Sequence, residues 1–169
     1  MLWQINQKSV VVIVVGTLAY GALWGLEFMV SIPNLLFISL RPSVAIPIFC
    51  GLIWGPIVGF VVGAVGVFWG DFIVTGLDFP WYYDLSAGLL GLVAGFAMLM
   101  LRKAHGWRYF LLVEAWSLAA VFVSVLVSTG GETIFAGAQF IFGISFVNLA
   151  VSALIFVPIL TGLDQRIDS

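Results

Sequence analysis

The chain has 169 residues, 63% of them hydrophobic and only 8% charged, with a mean hydropathy of +1.21, whereas soluble domains carry roughly 25% charged residues. This composition excludes a soluble catalytic domain and a basic nucleic-acid surface, and makes the bilayer the solvent. The formal net charge of −2 matters less than where the charges fall, and the single cysteine, Cys50, allows neither an internal disulfide nor a thiolate cluster.

A hydrocarbon core about 30 Å thick takes a helix of about 20 apolar residues. Apolar runs stand at about 9–30, 43–54, 56–76, 84–102, 108–129 and 137–162. The expected fold is therefore an all-α integral membrane protein, one domain over 1–169 with six transmembrane helices. The first run follows one lysine and shows no small-residue cleavage site, so it reads as a retained span rather than a signal peptide. "SIPNLLFISLRPS" holds Pro33, Pro42 and Arg41 and reads as a loop dipping back toward the protein. Gly55-Pro56 reads as the turn into the third run, because proline fits a first helical turn but not an interior.

Lys and Arg accumulate on the cytoplasmic side of membrane proteins. Six spans with both termini cytoplasmic put Lys8, Arg102, Lys103, Arg108 and Arg166 inside and leave Arg41 outside, which supports that orientation.

"GLIWGPIVGFVVGAVG", residues 51–66, has glycine at every fourth place. It lacks the Lys and Ser/Thr of a phosphate-binding loop. In lipid, such spacing lets helices approach closely. Similar small-residue faces occur in the fourth run at Gly88, Gly91 and Gly95 and in the first at Thr17, Gly21 and Gly25, with Ala19 and Ala22 beside them. Internal packing is the ordinary use of such a face. The first-span set, Thr17, Ala19, Gly21, Ala22 and Gly25, is also the candidate docking surface for a separate membrane subunit.

Polar groups inside a membrane are costly and are functional candidates by default. "WGDFIVTGLDFPWYYDLSAG", residues 69–88, concentrates Asp71, Asp78 and Asp84 with Trp81, Tyr82 and Tyr83 at the external end. An interfacial aromatic belt explains part of this; a mouth that stacks and hydrogen-bonds a flat heterocycle explains it as well. Asp84 is a candidate N-cap of the fourth span. Asn34, Arg41, Glu132 and Gln139 fall on the same side. Arg41 is expected to pair with Asp71 or Glu132 or to hold an acidic group of a ligand. Asn148 is expected to join helices, and Glu114 to reach toward the cytoplasm or a basic loop residue. No His/Cys/carboxylate spacing argues a metal site, and no nucleophile–base set argues catalysis.

Residues 31–101 resemble the S components, or substrate-capture subunits, of energy-coupling factor (ECF) transporters, most closely the riboflavin-transporter-like branch. The resemblance rests on Ile32-Pro33-Asn34, Gly55-Pro56-Ile57-Val58-Gly59-Phe60, Asp71, Trp81-Tyr82-Tyr83, and Gly88-Leu89-Leu90-Gly91-Leu92-Val93-Ala94-Gly95, in that order. It implies six helices with cytoplasmic termini in a prokaryotic plasma membrane, and a vitamin-sized ligand near the external face. It also implies transport by toppling of the subunit, driven by a transmembrane coupling protein and two cytoplasmic ATPases. The family's first-span Ala-x-x-x-Ala surface is absent in strict form; "GTLAYGALWG" is the nearest match. No covalent cofactor is expected, and the chain itself is expected to catalyse nothing. The acids and aromatics favour a neutral or partly cationic heterocycle such as riboflavin, thiamine or its pyrimidine precursor, while Arg41 also suits a carboxylate as in biotin or a lipoate-like ligand. The rival reading is a structural or assembly membrane protein without a small-molecule ligand. An ion channel or self-contained carrier ranks lower, since charged residues do not line the middle of several spans.

Overall fold

A computed structural model describes residues 6–30, 40–76, 80–101, 104–136 and 142–167. The regular structure among these residues is all helical, in the order α1 (Gln7–Val30), a 3-10 turn (Pro42–Val44), α2 (Ala45–Trp54), α3 (Pro56–Thr75), α4 (Trp81–Gly95), the one-turn α5 (Met98–Leu101), α6 (Trp107–Ala136) and α7 (Phe142–Ile167). Four stretches are long and apolar enough to cross a membrane: Gln7–Glu27, Pro56–Thr75, Trp107–Ile134 and Ser145–Gly162. At 1.5 Å per residue, the ten residues of α2 cover only about 15 Å and the fifteen of α4 about 22 Å.

Helix ends follow local chemistry. The Asn6 side chain accepts the Ser9 amide at 2.8 Å and caps α1. Gly55, at φ 102°, makes the break between α2 and α3 in a conformation that side chains disfavour, and Pro56 then opens α3 with its fixed φ. Two boundaries differ from the sequence reading. Trp81–Tyr83 form the first turn of α4 rather than an external loop, entered through Pro80 (φ −78°, ψ 118°). Pro80 is therefore the N-cap, not Asp84, which sits inside the first turn without capping it. Residues 130–136, outside the expected runs 108–129 and 137–162, continue α6. In lipid every backbone N–H and C=O needs a partner within the chain, so even paired glycines stay helical.

The glycines set the packing. A Cβ on Gly59 would meet the Gly91 carbonyl oxygen at 2.6 Å, and Gly63 lies as close to Ala87. The pairing of 59 with 91 and 63 with 87 makes α3 and α4 antiparallel. Gly21 meets Gly66 and Gly70, while Gly16 meets Val62 and Gly25 meets Val74, so α1 and α3 run parallel. Two cores result: one on Tyr20, Val58, Val62 and Val67 between α1 and α3, the other on Ile48, Leu90, Val121, Val125 and Val157 between α2, α4, α6 and α7. Outward-facing valines and leucines such as Val11, Val15 and Leu18 of α1 present the apolar surface that lipid requires.

Candidate functional site

The directions of the helices bring the C-terminal ends of α1, α3 and α6 to the same end of the bundle as the starts of α2, α4 and α7. That end collects polar groups by specific hydrogen bonds. On α1, Tyr20, Trp24 and Glu27 stand at i, i+4 and i+7 and so share one face. Gly66 and Gly70 of α3 make room for the two rings, since a Cβ at either would come within 2.6 Å of Tyr20 or Trp24. The Trp24 indole Nε1 then donates to Asp71 Oδ1 at 2.7 Å. Glu27 accepts both the amide and the hydroxyl of Ser43, each at 2.7 Å, and so ties α1 to the entry of α2.

Arg41 does not pair with Asp71 or Glu132 as expected. Its guanidinium lies over the Trp24 ring, 5.4 Å from the centroid, a cation–π contact. Its backbone N–H donates to Ser152 Oγ at 2.8 Å, and that hydroxyl donates to the Asn148 carbonyl at 2.8 Å, linking the loop to α7. Across the mouth, the Tyr83 hydroxyl donates to Glu132, joining α4 to α6. Tyr82 is buried against the backbone of Gly131, while Trp81 is 57% exposed. Asp84 Oδ1 is buried without a hydrogen-bond partner among the described residues.

Seven expected site residues, Arg41, Asp71, Trp81, Tyr82, Tyr83, Asp84 and Glu132, thus lie toward one end. Asn34, Asp78 and Gln139 lie outside the described residues. The sequence reading missed Tyr20, Trp24, Ser43 and Ser152. The 20/24/27 spacing on α1 was the available signal for the first two. Glu114 stands apart, on α6 far from this end; one of its carboxylate oxygens is buried without a partner among the described residues.

The docking set on α1 divides. Thr17, Gly21 and Gly25 are buried within the chain, whereas Ala19 and Ala22 are exposed. Gly21 lies so close to Gly66 that it is unavailable to another protein.

The family model of the ECF-type riboflavin transporter S component matches residues 4–165. The chain belongs to this family. Among curated relatives of this S component, a UPF0397 protein of Aliivibrio salmonicida is 33% identical over 100 residues, 59% of this chain and 52% of that protein. A UPF0397 protein of Vibrio atlanticus is 35% identical over 99 residues, 58% and 52% of the two chains. One of Streptococcus gordonii is 32% identical over 99 residues, 59% and 51%. The S component spans about half the length of the curated relatives it matches. No solved structure matches it. Family and long apolar helices together make it a multi-pass membrane protein.

Proposed function

We propose that this chain is the substrate-capture subunit of an ECF-type importer and binds a water-soluble, vitamin-sized aromatic heterocycle at the polar end of the bundle. The observation that carries this reading is the convergence of Trp24, Arg41, Asp71, Tyr83, Asp84 and Glu132 at one end of an otherwise apolar bundle. Ligand sites of this kind combine aromatic walls with a few fixed polar groups. Membership of an S-component family supports the same conclusion.

In this reading the polar end faces outward, since Lys8 and Arg108 lie at the other end of α1 and α6 and positive charge favours the cytoplasm. The chain crosses the membrane six times, with the short α2 and the α4–α5 pair completing the four long spans. The ligand takes its ring contacts from Trp24, Trp81, Tyr82 or Tyr83 and its hydrogen bonds from Arg41, Asp71, Asp84 and Glu132, with Asn34, Asp78 and Gln139 as further candidate contacts by sequence. Uptake is driven by a membrane-embedded coupling protein and two cytoplasmic ATPases; the subunit itself hydrolyses nothing and holds no cofactor. Its coupling-protein surface on α1 is the exposed side bearing Ala19 and Ala22.

A ring stacked near Trp24 and Trp81 changes indole emission. Titration of the purified protein with B vitamins is expected to give saturable quenching of tryptophan fluorescence, and co-purification from the host to bring down a coupling protein with ATPases. Absence of both overturns the capture reading and leaves a structural membrane protein.

A further inference from the structure

We propose that Glu27 and Ser152 are positioning residues for capture. Together they fix the backbone of residues 41–43 so that the Arg41 guanidinium stands over Trp24, ready for an acceptor group of the ligand. The inference rests on the capture reading above and adds what holds its base in place.

A long exposed side chain has many rotamers to lose when a ligand arrives, and fixing it in advance lowers that cost. At Arg41 both polar groups of the backbone are already bound. The N–H donates to Ser152 Oγ at 2.8 Å, and the carbonyl accepts the Val44 N–H at 3.2 Å. Pro42 follows and disfavours the helical conformation at Arg41, which stands at φ −123°, ψ 80°. Ser152 is itself oriented: its hydroxyl donates to the Asn148 carbonyl one turn earlier in α7, so its lone pairs are left for Arg41. Two residues beyond Arg41, Glu27 accepts the Ser43 amide at one oxygen and the Ser43 hydroxyl at the other, each at 2.7 Å. Ser43, Val44 and Ala45 are buried, so the turn is set in the packed interior while the Arg41 side chain is exposed above it.

The use made of Glu27 is the telling part. Charged side chains in a membrane protein ordinarily pair with one another. Glu27 instead gives both oxygens to Ser43, and among the described residues Arg41 makes no ion pair. The carboxylate thus serves the backbone of the turn and not the charge of the arginine. Trp24 stands three residues before Glu27 on the same face of α1. One helix face therefore supplies both the acceptor that holds the turn and the ring beneath the guanidinium, 5.4 Å from its centroid. That ring is fixed in turn by the bond from its Nε1 to Asp71. A guanidinium carries donors only, so what it receives from a ligand is a carbonyl, a ring nitrogen or an acidic oxygen.

The test first reads the placement without a ligand. The full chain in lipid nanodiscs, carrying isotope-labelled arginine, gives separate Nε–H signals by nuclear magnetic resonance for Arg41, Arg102, Arg108 and Arg166, with Arg41 assigned through Arg41→Lys. The indole ring current is expected to move the Arg41 signal upfield of the others. Glu27→Ala and Ser152→Ala are each expected to remove at least half of that shift. Glu27→Gln, which still accepts the Ser43 amide and can donate to its hydroxyl oxygen, is expected to keep it. A full shift in both alanine variants overturns the positioning role, and no shift in the unaltered protein overturns the placement of Arg41. The second step measures riboflavin, thiamine and biotin by calorimetry and follows whichever binds. Glu27→Ala is expected to weaken that ligand at least fivefold, but less than twofold in protein already carrying Arg41→Ala, because Glu27 acts through that side chain. Equal losses in the two backgrounds mark a merely structural residue and overturn the role. Should Glu27→Ala fail to fold, Ser152→Ala decides both steps. If none of the three ligands binds the unaltered protein, the capture reading is overturned, while the arginine signal still decides whether Glu27 and Ser152 hold Arg41.

Discussion

The indole of Trp24 donates to Asp71 at 2.7 Å across the parallel α1–α3 interface, while Arg41 covers the same ring from outside. One side chain thus ties two spans together and holds the only described base at the mouth. Interhelical hydrogen bonds in membranes average about 0.6 kcal/mol and reach about 1.7. With a carboxylate acceptor, the Trp24–Asp71 bond belongs toward the upper value. A double-mutant cycle of Trp24→Phe and Asp71→Asn, read by unfolding in mixed micelles, is expected to give about 1 to 1.7 kcal/mol of coupling. Strictly additive effects would show that the bond contributes nothing.

The two sides of α1 separate packing from docking. A Cβ at Gly21 would stand 2.7 Å from the Gly66 carbonyl, backbone that cannot move aside. Gly21→Leu is therefore expected to part α1 from α3, lower the yield of folded protein severalfold and weaken ligand binding as Trp24 leaves Asp71. Ala22→Leu, on the exposed side, is expected to leave folding and ligand affinity within twofold and to reduce recovery of the coupling protein in pull-downs. Folded, ligand-binding Gly21→Leu protein would contradict the packing seen here.

What could be read in the sequence follows physical range. Hydropathy over 20 residues reports burial in lipid directly, so the helical membrane fold was legible from composition. So was the polar end, because acids and aromatics cluster within "WGDFIVTGLDFPWYYDLSAG". The fourfold glycines announced close packing but not its partner: Gly21 and Gly66 are far apart in sequence, and nothing local says whether a smooth face turns inward or outward. The expected runs stopped short at Trp81–Tyr83 and at residues 130–136, because aromatic and polar residues lower the local hydropathy while the need for internal hydrogen bonds keeps the chain helical. Trp24 was hidden among other outer-end aromatics until its 47-residue link to Asp71 appeared.

The Tyr83 hydroxyl and Glu132 join α4 to α6 across the mouth. Tyr83→Phe leaves the ring and its contact with Tyr82, 4.9 Å between centroids, and removes only the donor. The expected cost is about 1 kcal/mol, with Glu132 left to solvent at the rim. Glu132→Gln keeps an acceptor for the hydroxyl and is expected to cost less. Thermal unfolding followed by circular dichroism in nanodiscs ranks the two; a larger loss in Glu132→Gln would mean that Glu132 serves another partner more than Tyr83.

Thr17 gives the opposite sign. It is 6% exposed on the inner side of α1, and its hydroxyl oxygen is buried with no hydrogen-bond partner among the described residues. An unsatisfied buried polar group costs about 1–3 kcal/mol, while valine has nearly the same shape without it. Thr17→Val is expected to stabilise the protein by about 1 kcal/mol, raising the melting temperature by about 2–4 °C for a chain of this size. Thr17→Ser keeps the hydroxyl and removes a methyl from the α1–α3 core, so it is expected to lower the melting temperature instead. If valine destabilises and serine does not, the hydroxyl is satisfied in the membrane, and Thr17 belongs to a polar path leading up α1 toward Tyr20.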